Sequence, residues 1–290
     1  RGTGNMQFPA YLQMANGIVQ MALSGCLILG AFGFPQMGIV GAAVSTIVTA
    51  SVTSLVMLVR LMGTSQSVRL HFGAFDLQRA LFADVLKVAL PASLSPALTI
   101  GVVLSLTALV GQYGEAALAG YGIGSRIEFL LIPLVFGIGA SMTSLVGIAT
   151  GAQDIDRAEC VALTGGAMAT GLAGAVGIVL ALFPGAWIPA FSADPGAIES
   201  ATTYIRIVGP FFAFQGMGLS LYFASQGAGR MFWPIAVTVG RIFLAVGGAL
   251  LLTEVLDFGI EGIYIAAAAA MCFFGSAIAL SVKFGAWRRR

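Results

Sequence analysis

Eight predominantly apolar stretches, each 20 residues or longer, run through this chain at roughly 10–32, 38–61, 88–110, 117–149, 158–183, 197–223, 233–253 and 261–283. At about 1.5 Å per residue, each is long enough to cross about 30 Å of hydrocarbon as a helix. A spanning segment must satisfy its own backbone in lipid, which leaves helices or a closed barrel. A barrel requires segments of about ten residues in strict alternation, and none occurs. The expected fold class is therefore an all-α polytopic membrane protein with eight transmembrane helices. Hydrophobic residues make up 58% of the chain and charged residues 9%, a balance outside the range of water-soluble domains.

Helix ends coincide with breakers: 32–35 (Phe-Gly-Phe-Pro), 111–114 (Gly-Gln-Tyr-Gly), 183–185 (Phe-Pro-Gly) and 194–196 (Asp-Pro-Gly). The charges then orient the spans. Arg1, Arg60, Arg69, Arg79, Lys87, Arg157, Arg230, Lys283 and Arg288, Arg289 and Arg290 lie in or beside alternate connections. The intervening loops 33–37, 111–116, 184–196 and 254–260 hold neither Lys nor Arg; Glu115, Asp194, Glu199, Glu254, Asp257 and Glu261 sit in or beside them. The positive-inside rule places both termini of this chain in the cytoplasm. Residues 62–87 are too long for a simple turn. Within them, 76–87 carries apolar residues at helical spacing with Asp76 as a cap, which predicts an amphipathic helix in the cytoplasmic interface.

Two motifs recur. Arg1-Gly-Thr-Gly-Asn-Met-Gln-Phe-Pro9 returns as Gln226-Gly-Ala-Gly-Arg-Met-Phe-Trp-Pro234, and Gly-Ile-x-Gly at 38–41 returns at 259–262. Two motifs in one order at nearly one offset indicate duplication. The offset pairs the first span with the seventh and the second with the eighth, so one repeat holds six helices. Six is even, so the repeats share orientation, a recurrent transporter architecture. Residues 1–61 are then the last two helices of a first bundle. Residues 62–87 form a linker, and 88–290 hold a complete six-helix second bundle with a basic tail. The expectation is a fragment, with four helices of the first bundle preceding Arg1.

The segments that carry these repeats resemble the multidrug and toxic compound extrusion (MATE) family of bacterial antiporters, from its fifth helix to its twelfth. They are Arg1-Gly-x-Gly-Asn-Met; 34–43 (Phe-Pro-x-x-Gly-Ile-x-Gly-Ala-Ala); 120–128 (Gly-Tyr-Gly-Ile-Gly-Ser-Arg-Ile-Glu); 145–152 (Leu-Val-Gly-Ile-Ala-Thr-Gly-Ala); and 226–230 (Gln-Gly-Ala-Gly-Arg). The resemblance implies two six-helix bundles around a V-shaped cleft, in a monomeric transporter of the bacterial inner membrane. It implies export of small amphipathic organic cations in exchange for Na⁺ or H⁺, with no other cofactor. It also fails at informative places. Many members carry a Glu on the seventh helix, eight residues past its Pro; here that count runs from Pro91 to Thr99. A tenth-helix Asp, with an aromatic one turn before it, falls on Gln215 with Phe211. Both acids are neutral here, which puts a cation site of that type in doubt.

Ionisable groups inside spans cost several kcal/mol unless paired or hydrated, so each is a candidate. Arg126 and Glu128 lie in the fourth span but two residues apart, so they do not face each other. They are either polar anchors bonded to neighbouring helices or part of a coupling site. Glu128 is the better candidate, because a titratable carboxylate binds a proton or a cation. Arg206 either snorkels or holds a carboxylate such as Glu128, and Arg241 is read as snorkelling. Thr99, Ser105, Thr107, Gln215 and Tyr222 either line a cleft or bond helix to helix. The candidate cation or substrate residues are thus Glu128, Arg126, Arg206, Gln215 and Thr99.

Other classes find little support. Cys26, Cys160 and Cys272 have no metal-ligand spacing, and His71, the sole histidine, has no partner at such spacing. There is no Walker loop. A membrane enzyme needs a nucleophile or paired acids at bilayer depth. A lipid-linked oligosaccharide flippase of the same broader superfamily is the alternative, though its anionic cargo calls for a cluster of Arg or Lys. The expected partners are the lipid bilayer and small organic cations, with no nucleic acid.

Overall fold

The computed structural model describes residues 7–33, 35–62, 79–285 and 287–288; Ala80, Leu81, Asp84, Val88 and Pro91 are described by backbone alone. Outside the described residues lie the first six residues of the opening motif, Arg69, His71, Asp76, Arg289 and Arg290. Eight helices among the described residues are long and apolar enough to cross a membrane. They are α1 (Gln7–Leu29), α2 (Ile39–Met62), α3 (Arg79–Gly111), α4 (Glu115–Gly151), α5 (Ile155–Leu182), α6 (Pro195–Gly227), α7 (Phe232–Val255) and α8 (Gly259–Lys283). α3 begins at Arg79 and runs unbroken to Gly111. Residues 79–87, read from the sequence as part of an interfacial segment, are continuous with the third spanning helix, whose apolar stretch is Val85–Gly111. The chain divides into two compact units, at Gln78 and Arg79.

The first unit is a helical hairpin. Gly30, in the left-handed region at φ 70°, ends α1, and Met37 N–H donates to Leu27 O at 2.9 Å to close the turn. Two hydrogen bonds join the helices, from Thr53 Oγ1 to Asn16 Oδ1 at 2.8 Å and from Gln20 Nε2 to Thr46 Oγ1 at 3.1 Å. The Arg60 guanidinium stacks over Phe8, 3.6 Å from the ring centroid. Lipid tails are as apolar as leucine, so such polar pairs and close packing replace the hydrophobic effect as the adhesive.

The sequence repeat has a structural counterpart. Gly41 meets α1 so closely that a Cβ there would lie 2.8 Å from the Leu27 backbone. Gly262, its counterpart in the second Gly-Ile-x-Gly, meets Leu252 in the same way, with a Cβ 2.9 Å from that of Leu252. Leu252 is the counterpart of Leu27 at the offset of the first motif.

The second unit holds α3 to α8, of which α6 and α8 are the most buried. α6 is not one straight rod. Pro195–Val208 gives way to a 3₁₀ turn at Gly209–Phe211, and the helix resumes at Phe212. Pro210 removes a backbone donor there, which loosens the ladder. Asp194 caps its start, accepting from Ala197 N–H at 3.1 Å with Pro195 in the first turn. Asp154 caps α5 likewise, accepting from Arg157 N–H at 3.0 Å. α5 lies against α6 through small residues: Gly166 meets Leu221, Gly174 meets Ala213 and Gly177 meets Gly209. A Cβ at Gly171 or Gly247, by contrast, would meet nothing within 4 Å. Beyond α8, Arg288 forks onto Glu159 (2.9 and 2.7 Å) and Asp156 (2.7 Å), fastening the tail to the start of α5. The Glu159 hydrogen bonds and charge, with Asp156 behind them, push the Arg288 guanidinium further above its usual range.

Candidate functional site

Gly120, Gly124 and Glu128 follow one another at four-residue spacing, so all three share one face of α4. That face meets α6. A Cβ at Gly120 would lie 2.5 Å from Ser200 Cβ, and one at Gly124 would overlap the ring of Tyr204. Two turns of close approach thus bring Tyr204 across α4, and its hydroxyl donates to Glu128 Oε2 at 3.1 Å. Tyr204 is held between two further rings, edge-on to Tyr121 at 5.5 Å and to Tyr264 at 5.2 Å. The Tyr264 hydroxyl pairs with Ser200 Oγ at 3.0 Å.

Arg241 of α7 completes the cluster. Its Nη2 lies 3.7 Å from Glu128 Oε1, an ion pair longer than a hydrogen bond. Its guanidinium sits 5.0 Å from the Phe274 ring centroid, and the residue is only 7% exposed. A π-helical turn, Phe243–Gly247, begins two residues later. Such turns often mark functional positions. Arg241, read as snorkelling, instead meets Glu128; Arg206, read as either snorkelling or holding a carboxylate such as Glu128, does not pair with it. Tyr204 points inward, so Arg206, two residues on, is exposed on another face of α6. The same alternation turns Arg126 outward from α4 while Glu128 faces in.

The cluster lines a small cavity of about 30 Å³, room for about two water molecules. Thr99 from α3 and Gln215 from α6 line it as well. These are the two positions that the resemblance assigns to acids elsewhere in the family, and both converge on Glu128. Gln215 is 7% exposed, and its Oε1 has no hydrogen-bond partner; neither has Arg241 Nε. An acceptor and a donor without partners thus belong to two residues that line the same small cavity, and buried polar atoms of this kind call for a partner. Three of the five expected site residues, Glu128, Gln215 and Thr99, come together. Arg126 and Arg206 do not join them. Tyr222 serves as a helix-to-helix bond, donating to Ala92 O at 3.0 Å. Tyr121 and Tyr204 were missed by sequence reading, although the Gly120-Gly124-Glu128 spacing marks the face on which Tyr204 packs.

The MatE family profile matches residues 91–251, more than half of the chain and all of the cavity's helices but the last. This chain belongs to the MatE family. A probable multidrug resistance protein NorM of Thermotoga maritima is 27% identical over all of this chain, which covers 62% of that protein. An FAD transporter of Shewanella oneidensis is 24% identical over 92% of this chain, covering 59% of that protein. In fold, a crystal structure of the Vibrio cholerae MATE transporter VcmN superposes with a TM-score of 0.88. It is 20% identical and covers 99% of this chain, which spans 65% of that one. The MatE chain described here thus spans about three fifths of the length of these relatives. It is a multi-pass membrane protein of a transporter family and not an enzyme.

Proposed function

We propose that the protein carrying this sequence is a secondary active exporter of the bacterial inner membrane, exchanging amphipathic organic cations for an inward-moving cation by alternating access of two helix bundles. Glu128 is its ion-binding group within residues 79–290. One observation carries this reading: a carboxylate set among apolar helices, bonded to Tyr204, close to Arg241 and lining a small cavity that Thr99 and Gln215 also line. Of the two coupling ions, H⁺ suits it better than Na⁺. A proton needs one carboxylate oxygen, whereas Na⁺ needs several oxygen ligands and sits poorly beside a guanidinium. At about 4 Å, two like charges repel by about 4 kcal/mol even at an effective dielectric near 20. Protonating Glu128 removes the counter-charge of Arg241. A buried guanidinium without a partner costs several kcal/mol, so proton binding favours a rearrangement of α4, α6 and α7. That differential is what couples an ion to a conformational change.

The test is transport in proteoliposomes containing the protein. An imposed pH gradient should drive ethidium movement, and Glu128→Gln should abolish the dependence on that gradient. Full pH-driven movement in the Glu128→Gln protein removes Glu128 as the coupling group. Movement driven by a Na⁺ gradient at equal pH removes H⁺ as the ion. FAD belongs in the same assay as an anionic cargo, because one relative is named for its transport; FAD movement without ethidium movement overturns the cationic cargo.

A further inference from the structure

A second space lies elsewhere in the same unit. A groove of about 490 Å³ runs between α7 and α8 and shares no residue with the cavity at Glu128. Ala236 and Ala277 set its depth, and Trp233, Phe273, Leu280 and Phe284 form its sides. The lining is mainly apolar, and its one hydroxyl, that of Ser281, donates to Ile278 O at 2.7 Å. Its length is informative. Phe273, Ala277 and Leu280 of α8 and Phe284 just past its end form one stripe, and the rise from the first to the last is about 16 Å. That is about half of a 30 Å hydrocarbon core, the depth of one leaflet.

The mouth of the groove is cationic. Trp233 is 47% and Phe284 76% exposed, and both lie at its basic end. Arg230 precedes Trp233 by three residues, and Lys283 lies next to Phe284 and one helical turn from Leu280. Both cations are exposed, and neither forms an ion pair among the described residues. Arg288, by contrast, is committed to Asp156 and Glu159. A tryptophan at the polar boundary with two unpaired cations beside it gives an apolar slot one anionic end.

We propose that this groove binds an anionic phospholipid, with one acyl chain along the α8 stripe and the headgroup phosphate between Arg230 and Lys283. Any lipid tail fits the slot. The cations add the preference, about fivefold for each basic side chain near a membrane surface.

The test uses Trp233 as the probe. In the protein carrying Trp187→Phe and Trp287→Phe, it is the one tryptophan of residues 1–290; tryptophans elsewhere in the protein are replaced likewise. Brominated phosphatidylglycerol should half-quench its fluorescence at a several-fold lower mole fraction than brominated phosphatidylcholine. Adding Arg230→Gln and Lys283→Gln should bring the two curves together. Native mass spectrometry of the unaltered protein supplies the same comparison through retained lipids, without any change to Trp287. Coincident curves or equal retention before the cations are removed overturn the proposal. So does a preference for phosphatidylglycerol that survives their removal.

Discussion

Glu128 Oε1 on α4 lies 3.7 Å from Arg241 Nη2 on α7, while the other carboxylate oxygen accepts from Tyr204 at 3.1 Å. The three groups come from three helices, so the cluster ties α4, α6 and α7 together and depends on each.

Arg241→Gln should destabilise the protein by about 1–3 kcal/mol, less than the loss of a fully buried pair because the contact is long and Glu128 retains some exposure. The double variant Glu128→Gln, Arg241→Gln should recover most of that loss, because no charge is then left alone. Thermal unfolding of the four proteins in one detergent measures the coupling. Additive losses would show that the two side chains do not interact.

Tyr204→Phe removes the hydroxyl and keeps the ring between Tyr121 and Tyr264. The expected loss is about 1.5–3 kcal/mol, the range for a hydrogen bond to a charged group. Tyr204→Ala should cost about 3–5 kcal/mol, since it also leaves a cavity. Unfolding temperatures that rank the two equally would place the whole contribution in the hydroxyl.

Gly124→Ala should sharply reduce the yield of monodisperse protein, because the added methyl overlaps the Tyr204 ring. Gly122→Ala is the control. It adds the same methyl two residues away, where nothing lies within 4 Å, and should leave yield unchanged or slightly improved. Size-exclusion profiles compare them directly; equal profiles would contradict the close approach of α4 and α6.

Arg288 supplies a pH expectation whose sign follows from its partners. Glu159 raises its pKa above the ordinary arginine range, so its contribution is complete below that range and is lost only in strong alkali. Between about pH 6 and 10, well below the ordinary arginine range, Arg288→Gln should therefore change stability by a constant amount. Salt should shrink the difference, because the fork is exposed. Unfolding scans at two ionic strengths test both statements.

Much of this was legible in the residues. The eight spans follow from hydropathy because lipid leaves a long apolar segment no alternative to a helix. The six-helix repeat follows from two Gly-containing motifs whose close contacts, Gly41 on Leu27 and Gly262 on Leu252, the structure duplicates. Glu128, Gln215 and Thr99 were legible as candidates because polar groups in spans are few. The continuity of α3 through residues 79–87 was not, because an amphipathic first turn looks alike whether it lies along the interface or continues into a span.

The sequence by itself determined the number of crossings, the alternation of charge between connections and the family, all of which depend on composition along one dimension. Only the tertiary structure decided which arginine meets Glu128. Arg126, Arg206 and Arg241 are equivalent to hydropathy, and helical phase selects among them. Two residues along a helix reverse the direction of a side chain, and the approach of α4 to α6 through Gly120 and Gly124 fixes which direction is inward. A partner across helices is set by that phase and that approach, neither of which a one-dimensional pattern contains.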